Sequence, residues 1–302
     1  MFEAWIPITI AAAFMQNARS ALQKHLKGRL TTFGAAYVRF LYAWPFALIY
    51  VFALEHWGGM ELPGFNGLFL IYCVLGGVSQ IVFTGLLMWL FSFRNFAVGT
   101  TYSKTEIVQI SLLGFLLLGD TLSAWAGLAI GVAVAGVMLL SMGQSRIGFS
   151  SLLAGLTERA TLIGLACGAF LGASVVFFRG ATLALGYDGP VMAAAYTLAV
   201  SVVIQTVVMG LYLAVRERRT LVDVLVHWRW SLAVGICGVL GSIGWFTAFA
   251  MQNAAYVRAL GQIELVFTFI ASVVFFRERT SRIEVLGIGL VAAGIVILIL
   301  SR

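Results

Sequence analysis

Apolar runs of 18 or more residues recur along the whole chain, separated by short polar breaks. Each run is long enough to cross a hydrocarbon core of about 30 Å as a helix. The breaks divide the chain into ten spans, close to 4–23, 32–53, 67–92, 96–118, 123–142, 161–185, 190–215, 230–252, 255–276 and 282–300. Most connections are a few residues long, and the longest, 143–160 and 216–229, are too short for a folded domain. The pattern predicts an all-α membrane protein of ten transmembrane helices.

Composition agrees. The chain is 61% hydrophobic and 10% charged, with a mean hydropathy of +1.01, whereas a soluble domain averages about 45–50% apolar and about 25% charged residues. The first run follows Met1-Phe2-Glu3 without a basic segment, so it reads as a retained helix rather than a cleaved signal. Cys73, Cys167 and Cys237 all fall inside apolar runs and are odd in number, so disulfides are not expected.

The net charge of +7 does not point to nucleic acid, because the basic residues sort into short loops. Lys24, Lys27 and Arg29 follow the first span and Arg94 the third; Arg146 and Arg159 follow the fifth. Arg216, Arg218, Arg219 and Arg229 follow the seventh, and Arg277, Arg279 and Arg282 surround the end of the ninth; the other side offers only Arg302. The positive-inside preference then predicts odd-numbered loops in the cytoplasm and both termini outside, in a plasma or bacterial-type inner membrane.

Two stretches repeat. NFAVGTTYSKTEIVQISLLGFLLLGD carries Asn95, Ala97, Glu106 and Asp120; NAAYVRALGQIELVFTFIASVVFFRE carries Asn253, Ala255, Glu264 and Glu278, each pair 158 positions apart. This predicts two five-helix halves, 1–145 and 146–302. Matching loops have opposite charge preferences: the second loop has Glu55 and Glu61, while its counterpart after span seven is basic. Halves inserted upside down relative to each other would require that, as in transporters with inverted repeats and a midplane site. Glu106 lies ten residues into its span and Glu264 nine, from opposite sides. Both acids thus fall about 14–15 Å deep at about 1.5 Å per residue.

The cadence of these residues resembles a known family. Glu278 follows Glu264 by fourteen positions, Gly287 follows Glu278 by nine and Gly294 by sixteen; Asp120 and Gly136 repeat the spacing after Glu106, with Ala129 in place of the first glycine. It is similar to the EamA-type repeat of the drug/metabolite transporter superfamily. The resemblance covers nearly the whole chain and implies ten helices in two inverted halves, and transport of small organic metabolites, often export. That family often has proline after this glutamate; Ile107 and Leu265 stand there instead, which predicts straight fourth and ninth helices.

Ionisable groups inside a membrane are functional candidates by default. Glu106 and Glu264 are candidates to bind a substrate amine or to exchange protons. Lys104, about 12 Å deep by the same rise, is expected to seek a partner on another helix or a substrate carboxylate, since it and Glu106 diverge at i,i+2. Arg19, with Gln16 and Gln23, and Arg39, with Tyr37, lie near cytoplasmic ends, where snorkelling and substrate contact are both open. Arg179 and Arg258 lie nearer the outside, and Gln262 shares a face with Arg258. Tyr102 shares a face with Glu106 and Gln109 and leads the aromatic candidates, followed by Trp89, Tyr196, Trp245 and Tyr256. Gly164, Gly168 and Gly172, Gly127 and Gly131, and the series Gly235, Gly238, Gly241 and Gly244 predict close helix packing.

His25, His56 and His227 sit in loops or at helix ends, and there is no zinc motif, phosphate loop or C-x-x-C pair. No enzyme chemistry, cofactor or metal is therefore expected. The reading is a secondary transporter for a small polar, zwitterionic or amphiphilic solute, monomeric or homodimeric, with protons and membrane lipid as the other partners. The alternatives are a facilitative exchanger or uniporter, a channel-like pore and a non-transporting membrane partner.

Overall fold

A computed structural model of the chain describes residues 3–26, 29–93, 96–145, 148–274 and 280–300. Asn95, Phe276, Glu278, Lys27, Arg94, Arg146, Arg277, Arg279 and Arg302, all invoked above, lie outside the described residues. The described residues are mostly helical, and no strand is found among them. In order, the helices are α1 Trp5–Leu26, α2 Thr32–Leu41, α3 Trp44–His56, α4 Gly67–Leu90, α5 Phe96–Ser103, α6 Glu106–Leu118, α7 Ala124–Ser145 and α8 Phe149–Ala154. After a 3-10 turn at Gly155–Thr157 come α9 Arg159–Ala184, α10 Pro190–Arg216, α11 Arg218–Val226, α12 Trp228–Met251, α13 Ala254–Gly261, α14 Ile263–Val274 and α15 Arg282–Leu300.

Among the described residues, seven stretches are long and apolar enough to cross a membrane: Thr32–His56, which joins α2 and α3, together with α4, α7, α9, α10, α12 and α15. Large apolar side chains stand exposed along them, among them Ile49, Ile71, Trp125, Leu128, Leu211 and Val296. Water would not tolerate such a continuous apolar exterior, whereas lipid chains match it. Seven of the ten expected spans correspond to these stretches, and the expected runs are interrupted at three places. One is at Pro45, which lacks an N–H and sits in the first turn of α3, so α2 stops at Leu41. The other two fall in the repeated segments.

The helices gather into two compact units, each containing parts of both sequence halves. The first comprises residues 1–81 and 177–252. Its core packs Val38, Phe40 and Ala47 of α2 and α3 against Met192, Leu198 and Met209 of α10, and Val234 and Val239 of α12. Arg179, near the end of α9, donates from Nη1 to the carbonyls of Phe249 and Gln252, both at 2.6 Å. It thus closes the C-terminus of α12 with a positive charge, where the helix dipole favours one.

The second unit comprises residues 82–176 and 253–302. Its frame is the pair α7 and α15, which stand in the same place in the two sequence repeats. A Cβ at Gly136 would lie 2.6 Å from Val291 N and 2.7 Å from Gly287 O; one at Gly294 would lie 2.8 Å from both Ala129 O and Ala133 N. The contacts are reciprocal, because Gly294 is the repeat counterpart of Gly136 and Gly287 that of Ala129. Descending numbers on one helix meet ascending numbers on the other, so the pair is antiparallel. Gly127 and Gly131, expected to serve close packing, face open space instead; the stripe used lies about half a turn away, through Ala129, Ala133 and Gly136.

Candidate functional site

The fourth and ninth spans are not straight. The chain leaves the helix at Lys104 and Thr105 between α5 and α6, and at Gln262 between α13 and α14. Around both breaks the backbone bonds run to the third residue back: Lys104 N to Thr101 O and Thr105 N to Tyr102 O at 3.1 Å, and Val108 N to Thr105 O at 3.0 Å. In the second copy, Gln262 N reaches Ala259 O at 3.2 Å and Leu265 N reaches Gln262 O at 2.9 Å. Position 262 is the counterpart of 104, so the break is duplicated along with the sequence.

Each copy breaks for its own reason. In the first, the hydroxyls of Thr100, Thr101, Ser103 and Thr105 all donate to carbonyls three or four residues back, at 2.8–2.9 Å. They compete with the amides for the same acceptors. In the second, Gly261 precedes the break and weakens the helix there. The α13 start is fixed by Asn253, whose Oδ1 accepts from Ala255 N at 2.9 Å. On α9, Gly164, Gly168 and Gly172 lie against Gly99, the Ser103 carbonyl and Ile110, so one small-residue face supports both sides of the first break.

The breaks place both acids at new helix starts. Glu106 is the first residue of α6 and Glu264 the second of α14, where the positive end of the helix dipole stabilises negative charge. Glu106 is buried and Glu264 half-buried. Arg258 of α13 donates from Nη2 to Glu106 Oε1 in an ion pair whose side chains are 13% and 9% exposed. Glu264 acts on the same guanidinium electrostatically. A single arginine therefore serves both repeated carboxylates, from a position where the first copy has Thr100. Gln262, buried, donates to the Arg258 carbonyl at 3.4 Å.

Other predicted residues lie elsewhere. Lys104 is exposed, a correction to its expected burial, because the turn replaces the helical face that would have pointed it inward. Tyr102, Glu106 and Gln109 do not act together across the break. Tyr102 donates to Leu152 O at 3.1 Å, while Gln109 donates to Thr105 Oγ1 at 3.3 Å and Leu165 O at 3.4 Å. Trp245 is buried and stacks on Phe249 with ring centroids 5.9 Å apart.

Arg19 and Arg39 meet in the first unit. Both line a cavity of about 40 Å³ open to water centres, together with Phe40, Gln80, Gln205, Ser242 and apolar residues of α10 and α12. Gln205 Nε2 donates to Gln80 Oε1 at 2.7 Å. Neither glutamine was singled out from sequence, although a lone amide amid an apolar run was a readable signal. A larger cleft of about 570 Å³ lies beside Tyr187, Asp188 and Met251, and no predicted site residue lines it.

Comparison with known proteins places these features. Residues 159–300 match the EamA-like transporter family. One solved protein crystal structure has the same fold with a TM-score of 0.72, covering 99% of this chain and 98% of that one at 14% identity; at that identity the likeness is of fold alone. Among curated proteins no match is found.

Proposed function

From the membership of residues 159–300 in the EamA-like transporter family, we propose that this multi-pass membrane protein is a secondary active transporter working by alternating access. Its cargo is a small polar, zwitterionic or amphiphilic organic solute, exported across an inner membrane. The observation that carries this reading is the Glu106–Arg258 pair at the duplicated breaks. Charges at membrane depth are retained for work, and interrupted helices at that depth are where transporters bind solute.

Ten spans follow if α1, the α5–α6 pair and the α13–α14 pair cross along with the seven most apolar stretches. The reciprocal antiparallel contacts of α7 and α15 support inverted five-helix halves, 1–145 and 146–302, and the loop charges support both termini outside. In the working mechanism, a solute bearing opposite charges replaces one ion pair with two. Its anionic group takes Arg258, and its cation takes Glu106 or Glu264. Either glutamate is a candidate for exchanging a proton during the cycle.

The test is flux in proteoliposomes. Thermal stabilisation by members of a metabolite panel identifies the solute first, because a ligand stabilises the state it binds. Glu106→Gln and Arg258→Gln are each expected to lower flux of that solute at least tenfold, with the exposed Trp125→Ala as an unaffected control. Wild-type flux in both variants would sink the site. Wild-type pH dependence in Glu106→Gln and Glu264→Gln alike would remove the proton coupling.

A further inference from the structure

We infer that α11 is an interfacial helix whose outer face enters the lipid and whose surrounding arginines bind anionic phospholipid headgroups. The helix, Arg218–Val226, is joined to α10 through Glu217 and to α12 through His227. Both neighbours are long and apolar enough to cross a membrane, so these single-residue links hold α11 at the bilayer surface. One face of the helix is used by the protein itself. Thr220 and Val224 are buried there and lie against Gly34 of α2. Tyr42 donates to the Val224 carbonyl at 3.2 Å, and Glu217 accepts from the hydroxyls of Thr31 and Thr220 at 3.3 and 3.0 Å.

The opposite face is apolar. At about 3.6 residues per turn, Val222 stands half a turn from the buried pair, with Leu225 and Val226 beside it. Each of the three is more than half exposed. Facing water, three such side chains on a nine-residue helix would form an unfavourable patch. They continue the lipid-facing exterior instead: the exposed Leu211 and Val215 precede them on α10, and the exposed Trp228 and Trp230 follow on α12. Tryptophan is favoured at the boundary between hydrocarbon and headgroups.

Charge selects the occupant. Arg216, Arg218, Arg219 and Arg229 surround the stripe. Arg29 lies two residues before Thr31, which meets Thr220 at 3.2 Å, and adds to the same rim. Against them stand Asp223 and Glu217, the latter already held by the two threonine hydroxyls. Arg218 donates from Nε to the Ala214 carbonyl at 2.9 Å, and Arg229 lies over the Trp228 ring at 5.6 Å. Arg216 and Arg219 are exposed and have no carboxylate partner among the described residues. A basic rim around an apolar stripe fits a bilayer surface that carries negative headgroups, and guanidinium forks match phosphate oxygens. The inference rests on α10 and α12 crossing the membrane and not on transport.

Spin labelling of the full chain tests the placement without measuring flux. Cys73, Cys167 and Cys237 are replaced by alanine and a nitroxide is attached through Val222→Cys. Glu61→Cys, in an exposed connection, supplies the aqueous reference. Nanodiscs of phosphatidylcholine are compared with nanodiscs of equal parts phosphatidylcholine and phosphatidylglycerol. The label at 222 should be relaxed more by dissolved oxygen than by an aqueous nickel chelate, unlike the label at 61, and this ratio should rise with phosphatidylglycerol. Arg216→Gln together with Arg219→Gln should cut the rise by more than about half, while the same two positions changed to lysine should keep most of it. Thermal unfolding of the chain with its cysteines intact gives a second measurement: phosphatidylglycerol should raise the midpoint, and less so in the double glutamine variant. Stronger relaxation by nickel at 222 in both lipids, no response to phosphatidylglycerol, or a response undiminished by the glutamine pair overturns the proposal. Shielding of the label from oxygen and nickel alike would show that a protein or a second copy covers the face, and overturns it as well.

Discussion

In the unit built on α7 and α15, one arginine is bonded to Glu106 and lies within the field of Glu264. In the unit built on α10 and α12, two arginines share a cavity whose lining has no acid. The residue type is the same, and the difference lies in the charge that the arginine meets. In the α7–α15 unit it meets a carboxylate. In the α10–α12 unit it meets a second guanidinium.

The largest expected effect tests the balanced arginine. Removing one partner of a buried ion pair strands the other, at about 3–5 kcal/mol. Arg258→Gln and Glu106→Gln should each lose about that much in chemical denaturation, and the double variant should lose less than their sum. Additive losses would show that the pair is not coupled.

A smaller effect separates the two frames. A Cβ at Gly136 meets backbone atoms of α15 under 3.0 Å, whereas one at Gly241 of α12 meets Met15 Cβ at an ordinary 3.5 Å. Gly136→Ala should therefore destabilise by about 1–3 kcal/mol, and Gly241→Ala should be neutral or gain up to about 1 kcal/mol of helix propensity. Equal shifts in thermal midpoint would mean that α7 and α15 are not the tighter pair.

The smallest effect belongs to the arginines of the cavity. Arg39→Gln loses a contact with Phe40 worth about 0.5–1 kcal/mol and gains relief from Arg19. Its stability should stay within about 1 kcal/mol of wild type, the opposite of Arg258→Gln. A loss as large as that of Arg258→Gln would erase the contrast between the units.

The sequence showed where helices begin and end, because polar breaks in a lipid-like chain are sharp. It also showed the repeat and its two glutamates. The breaks at Lys104 and Gln262 were hidden because proline was the sign sought, while the causes are four back-bonding hydroxyls in one copy and Gly261 in the other. The partner of Glu106 stands 152 positions away, and no local spacing could reveal it. Arg179 drew attention as a charge near the outer side. Its bonds to Phe249 and Gln252 explain it through the end of another helix, which only the fold brings near.

The duplicated break also has a mechanical meaning. It divides each span into two rods, with α6 running 13 residues beyond its break, about 20 Å at about 1.5 Å per residue. A turn of about 15° at such a joint sweeps the far tip through about 5 Å while the joint itself scarcely moves. Glu106 sits at the fulcrum. Such a turn would carry the far end of α6 while leaving the Glu106–Arg258 pair in place.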